Sequence, residues 1–141
     1  MTLIDFYVLP KQTLDEQHHF ACRLIEKAVR QGNRVMVATK NEDESKKLDD
    51  TLWSFRPDAF VPHTMLGDAK AFEAPVIISH GEDDDSHHDV LINLRLEVPA
   101  QFSRFKRLAE VVIQDTRVLE NSRQSYAFYK KRGYPINTHK L

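Results

Sequence analysis

The 141-residue sequence is short of the residues that most simple chemistries need: it has four glycines, one cysteine and one tryptophan. Gly32, Gly67, Gly81 and Gly133 stand isolated, so neither a G-x-G-x-x-G dinucleotide fingerprint nor a phosphate loop ending in Gly-Lys-Ser/Thr can be written anywhere. No Gly-x-Ser-x-Gly elbow exists either, which leaves the scattered Ser, His and Asp residues without a nucleophile signal. Cys22 has no partner for an intrachain disulfide, and the opening Met1-Thr2-Leu3-Ile4-Asp5-Phe6 lacks the basic stretch and cleavage site of a secretory leader. Both point to a reducing cytoplasm. The longest apolar runs, at 75–78 and 111–113, fall far short of the roughly 18 residues of a membrane span. Charges nearly cancel, with 20 Lys+Arg against 21 Asp+Glu, so no excess of cations is available to grip nucleic-acid phosphates and direct nucleic-acid binding is not expected.

What is present describes one soluble domain over residues 1–141, with 41% hydrophobic residues to fill a single core. Residues 3–9 read as a buried strand ended by Pro10. Thr13 and Glu16 have capping-box spacing, and Phe20/Ala21, Leu24/Ile25 and Ala28/Val29 recur every four residues up to Gly32, which predicts an amphipathic helix. A short strand at 34–39 and a second helix, capped by Asn41 and carrying Leu48, Leu52 and Trp53, follow. Residues 55–66 contain Pro57 and Pro62 and read as an unusually apolar loop. Strands are predicted at 75–79, 90–94 and 108–114, then a last helix capped by Asp115 or Thr116 and ending at Gly133, then a short extended tail. Strands alternating with helices imply an α/β fold with a largely parallel sheet and helices on both faces, Rossmann-like in topology but without the glycine motif.

Two features exceed background. The segment from Leu52 to His63 places Trp53, Phe60, Val61 and Pro62 where a loop is normally polar, as in a surface that meets a protein partner. The last helix carries Arg123, Tyr126 and Lys130 at i, i+3 and i+7, with Tyr129 and Arg117 flanking. Residues 117–141 hold six Lys or Arg against Glu120 alone, a local positive field suited to an acidic peptide ending in a hydrophobic residue. The loop at 80–89 offers His80, Asp83, Asp85, His87, His88 and Asp89, but its spacing matches neither a calcium loop nor a rigid zinc site, and it reads as a solvated surface loop with no metal. His18 and His19 read as exposed imidazoles near the start of the first helix. No cofactor is implied. The competing reading is an α/β enzyme or binding protein for a nucleotide or phosphorylated small molecule, using His63 and the acidic loop; it rests on fold analogy alone. Direct single-strand DNA binding by the aromatic-basic helix rests on two tyrosines.

In this order along the chain, the segments Asp5-Phe-Tyr-Val-Leu9, Gly32-Asn-Arg-Val35, Leu48-Asp-Asp-Thr-Leu-Trp53, Phe60-Val-Pro-His63, Pro75-Val-Ile-Ile78, Asp89-Val-Leu-Ile-Asn-Leu94 and Arg123-Gln-Ser-Tyr-Ala-Phe-Tyr-Lys130 with Gly133-Tyr134 resemble the chi subunit of bacterial DNA polymerase III holoenzyme. The resemblance implies a non-catalytic replisome adaptor that binds the acidic, Phe-ending C-terminal tail of single-stranded DNA-binding protein and links it to the clamp loader through the psi subunit or an equivalent. It implies that Arg123 takes the terminal carboxylate, that Tyr126 and Tyr129 shape the pocket for the terminal ring, and that Lys130 attracts the acidic side chains. Trp53, Phe60, Val61 and Pro62 would form the psi or clamp-loader interface. Where the family carries lysines in the first turn of this helix and just after Tyr126, this chain has Leu119 or Glu120 and Ala127.

Overall fold

The computed structural model describes residues 1–56, 61–66, 74–81 and 86–141. In chain order it contains strand β1 (Leu3–Val8), helix α1 (Leu14–Arg30), β2 (Val35–Ala38), α2 (Glu42–Ser54), β3 (His63–Met65), β4 (Val76–Ser79), β5 (Val90–Asn93), a 3-10 turn at Phe102–Arg104, β6 (Arg107–Val112), α3 (Thr116–Lys131) and β7 (Ile136–Lys140). The strands form one sheet in the order β3-β4-β2-β5-β6-β1-β7. Every pairing is parallel. This is the expected α/β architecture, and its central strands read as nearly unbroken apolar runs because both faces of the sheet are covered.

Alternation along the strands sorts side chains to two layers. Val35 and Val37, Ile92 and Leu94, and Ala109 and Val111 face α1 and α2, where they meet Ala21, Cys22, Ile25, Leu48 and Leu52. On the opposite face Ile4, Phe6, Met36, Leu91, Leu108 and Val112 pack with Phe102, Phe105 and Tyr129 of the 3-10 turn and α3. All three helices start where the sequence predicts. Thr13, Asn41 and Asp115 each accept a hydrogen bond from the backbone N–H three residues on. The ends of α1 and α3 share one closing geometry: Gly32 donates to Val29 O and Asn33 to Ala28 O, while Gly133 donates to Lys130 O and Tyr134 to Tyr129 O. Both glycines have positive φ, +85° and +80°, which the Schellman turn requires and which a Cβ strains.

Three expectations change. The apolar stretch before Leu66 is not wholly irregular, since His63–Met65 pairs with β4 as an edge strand. The short extended tail gains a partner, since Ile136–Lys140 pairs with β1 as a strand. His18 is buried rather than exposed, and its Nε2 lies 3.0 Å from Glu44 Oε2. Burial pushes the Glu44 carboxyl up, but hydrogen bonds from His18 and from the side chain and backbone of Lys40 outweigh this and hold it below its ordinary value.

The helix α3 is tied to the sheet by a buried polar cluster. Tyr129 Oη donates to Glu110 Oε2 at 2.7 Å, and Asn93 Nδ2 donates to both carboxylate oxygens at 3.1 and 3.2 Å. Burial pushes the Glu110 carboxyl from 4.5 up to about 7 against the pull of these two donors, and it raises the Tyr129 phenol as well.

The native state therefore holds a proton that the unfolded chain has released between about pH 4.5 and 7. Stability is greatest below that window and falls as pH rises through it, by up to about 3 kcal/mol. Glu110→Gln should flatten this slope in urea titrations run from pH 4.5 to 8, and an unchanged slope would show that Glu110 does not cause it. At the end of α3, Gly133→Ala should lower stability by about 1 kcal/mol in the same assay, because its φ is positive although nothing crowds the new Cβ.

Candidate functional site

Position along α3 decides which of its side chains can meet a partner. Arg123, Tyr126 and Lys130 are all exposed. Tyr126 is 38% exposed, and its ring leans on Phe6 with centroids 5.5 Å apart, which fixes the phenol at the surface. Neither Arg123 nor Lys130 has an ion-pair partner among the described residues. Two unspent cations beside one anchored aromatic ring are what a carboxylate attached to an apolar side chain requires. Lys131 and Arg132 extend the positive region past the helix end, and Arg132 lies over the Phe128 ring at 3.7 Å.

Tyr129 does not share this surface. Three residues past Tyr126 is a turn of about 60° around the helix, and this carries the Tyr129 ring into the core, where it is 0% exposed and bonded to Glu110. Its role is to seat α3 on the sheet. Leu119 or Glu120, and Ala127, stand where the resemblance implies cations: Leu119 packs against the core, while Glu120 and Ala127 are exposed.

The second candidate surface lies at the end of α2. Trp53 is 58% exposed, the largest exposed ring among the described residues, and sits edge-on to His63 at 5.2 Å. Pro62 is exposed beside it in the chain, whereas Val61 is 3% exposed and belongs to the core under α1 and α2. Burial thus removes Val61 from the interface group, and Phe60 lies outside the described residues. The His63 imidazole is held at both nitrogens, Nε2 at 2.8 Å from Asp49 Oδ1 and Nδ1 at 2.6 Å from Val61 O. A ring so engaged braces the Trp53 surface.

The carboxyl ends of the strands, where folds of this type bind nucleotides, are partly occupied by the chain's own groups, and a cavity of about 510 Å³ remains between the starts of α1, α2 and α3, lined by Leu14, Lys40, Asn41, Leu96, Asp115 and Arg117. Arg95 donates from Nε to Thr39 O at 3.0 Å and from its terminal nitrogen to Ser79 O at 3.2 Å. Thr39 and Ser45 hydroxyls are 2.6 Å apart, and Ser45 Oγ is 3.1 Å from His80 Nδ1. The helix N-termini that would face a phosphate are capped internally, and two of them carry acidic first turns, Asp15 and Glu16 in α1 and Glu42, Asp43 and Glu44 in α2. In the 80–89 loop, His87 is fully buried with Nε2 at 2.8 Å from Ala74 O, and Asp89 accepts from the Arg34 backbone N–H at 2.8 Å. Asp83 and Asp85 lie outside the described residues, and among the described residues no three metal-ligating groups come together. Burial pushes the Cys22 thiol up to about 12, so it is inert. No described helix is long and apolar enough to cross a membrane.

The backbone path is shared with a nucleic-acid enzyme: the chain superposes on domain 2 of the Mss116p DEAD-box helicase, solved bound to an RNA duplex, with a TM-score of 0.59 over 97% of this chain and 64% of that one. At 12% identity this is a likeness of fold. Sequence likeness leads elsewhere. The chain is 41% identical to DNA polymerase III subunit chi of Pseudomonas aeruginosa over 100% of its own length and 98% of that protein. It is 28% identical to the subunit chi of Haemophilus influenzae, covering 94% of this chain and 93% of that one, and 28% identical to that of Escherichia coli, covering 94% of each. The family model described as DNA polymerase III chi subunit, HolC, matches residues 1–137, and this chain belongs to that family of replication accessory subunits.

Proposed function

We propose that this protein is a non-catalytic adaptor of the replisome that captures the acidic, Phe-ending C-terminal tail of single-stranded DNA-binding protein on α3 and joins it to the clamp loader. The observation that carries this reading is the exposed, unpaired set Arg123, Tyr126 and Lys130 on a protein whose overall charge is −1. Arg123 takes the terminal carboxylate in a two-pronged hydrogen bond, Tyr126 walls the terminal ring, and Lys130 with Lys131 draws the acidic residues that precede it. The acidic first turns of α1 and α2 at the strand ends, and the lack of a glycine phosphate loop, support a role without phosphate chemistry. The Trp53 and Pro62 surface, far along the sheet order from α3, is the face for psi or an equivalent clamp-loader protein, and Phe60 belongs to the same segment. Two separate surfaces let one domain hold two partners at once.

Arg123→Ala should weaken binding of a labelled tail peptide by roughly 2 to 4 kcal/mol, read by anisotropy, with the thermal midpoint unchanged because Arg123 is exposed and unpaired. A peptide lacking its final Phe should lose affinity to a similar extent, and raised salt should weaken the intact peptide. Retained binding in both controls would sink the assignment of α3. Trp53→Ala should cost about 2 kcal/mol or more in association with the clamp-loader proteins of the same organism, measured by sedimentation, while leaving tail binding intact.

A further inference from the structure

On the face of the sheet opposite α3 lies a cavity of about 210 Å³ between the second half of α1 and strands β1, β6 and β5. The strand pleat brings Asp5 and Tyr7, Arg107 and Ala109, and Val90 and Ile92 to this one face, with Ala28 and Leu24 of α1 above them. The space exists because two of the facing residues, Ala28 and Ala109, are small. None of Arg123, Tyr126, Lys130, Trp53 or Pro62 lines it, so it is independent of both docking surfaces.

Its chemistry is more specific than a packing gap. The Asp5 side chain is 6% exposed and its charge is already matched, with Arg107 at 3.3 Å from Oδ2 and His139 Nε2 at 3.0 Å from Oδ1. The His139 ring stacks on Tyr7 at 4.6 Å and 12° between planes, which locks the phenol as one wall. Burial and the Asp5 carboxylate raise the Tyr7 phenol, so it stays a neutral donor. Lys27 stands at the rim with no ion-pair partner among the described residues, and the side-chain amides of Gln31 and Asn33 complete the mouth. One cation is therefore in excess at a half-open site whose lining mixes polar groups with the apolar side chains Leu24, Ala28, Val90 and Ile92. About 150 Å³ is enough to hold benzene, so this space has room for one ring with a substituent.

We propose that this cavity is a small-molecule site for a single aromatic or heteroaromatic ring bearing one negative charge, the ring lying between Tyr7 and the Ala28–Ala109 gap and the charge meeting Lys27. The proposal does not rest on the adaptor reading. Its test is an NMR titration of the full chain with benzoate, with benzyl alcohol and benzylamine as neutral and cationic counterparts of similar shape. Benzoate should give saturable shifts confined to the methyls of Ala28, Val90, Ile92 and Ala109, and benzylamine should give none there. Lys27→Gln, an exposed change that leaves the fold intact, should weaken benzoate at least fivefold, and Ala28→Leu, which fills the space, should abolish the shifts. Tail-peptide binding should be the same in Lys27→Gln as in the unaltered protein. Absence of saturable shifts with benzoate, equal binding of benzylamine, or benzoate binding that survives Ala28→Leu would each overturn the proposal.

Discussion

The orientation of α3 rests on a single buried acid. Glu110 sits in the middle of β6, takes hydrogen bonds from Asn93 on the neighbouring strand and Tyr129 on the helix above, and so links two strands and one helix at a buried point. A carboxyl desolvated to this degree is costly unless its oxygens are met. The same donors that meet it also fix the rotation of α3 about its axis. Once Tyr129 is turned inward, the helical period leaves Arg123, Tyr126 and Lys130 on the outside, and the ring of Phe6 keeps Tyr126 from collapsing onto the sheet.

A second constraint is the charge and hydrogen bonding at the carboxyl ends of the strands. Open parallel sheets leave a crevice at the carboxyl ends of their strands, lined by helix N-termini that favour anions. Here Arg95 reaches into that end and satisfies strand-terminal carbonyls of β2 and β4, while Thr13, Asn41 and Asp115 satisfy the first turns of the helices. The acidic residues that follow Thr13 and Asn41 reverse the local charge. On the fold it shares with the helicase domain, this chain exposes Arg123, Tyr126 and Lys130 on α3 and Trp53 on α2.

Much of this was legible in the residues. Capping residues, glycine stops and β-branched runs act through local backbone physics, so helix starts at Thr13, Asn41 and Asp115 and the Schellman turns at Gly32 and Gly133 could be placed from spacing alone. The edge strand at His63–Met65 could not, because three residues among prolines carry no period and its pairing with β4 is a long-range fact. His18 was unreadable for the same reason: its partner Glu44 lies 26 residues away on another helix. The stripe at Arg123, Tyr126 and Lys130 was legible as an i, i+3, i+7 pattern, but Tyr129 next to it carried the same chemistry in sequence and was separated only by burial.

The sequence by itself determined the α/β class, the order of the helices and of the strands other than β3 and β7, the absence of a glycine phosphate loop and the concentration of positive charge after residue 117. Those properties depend on neighbours within a few positions or on composition, and need no knowledge of what packs where. The tertiary structure decided which of two tyrosines faces outward, that Val61 is core while Trp53 is surface, that Arg95 ties together the ends of β2 and β4, and that Asp5, Arg107 and His139 meet beside a cavity. Each of these depends on the parallel register and on desolvation, which bring residues up to 134 positions apart within hydrogen-bond reach and make the free energy of a side chain a property of its surroundings.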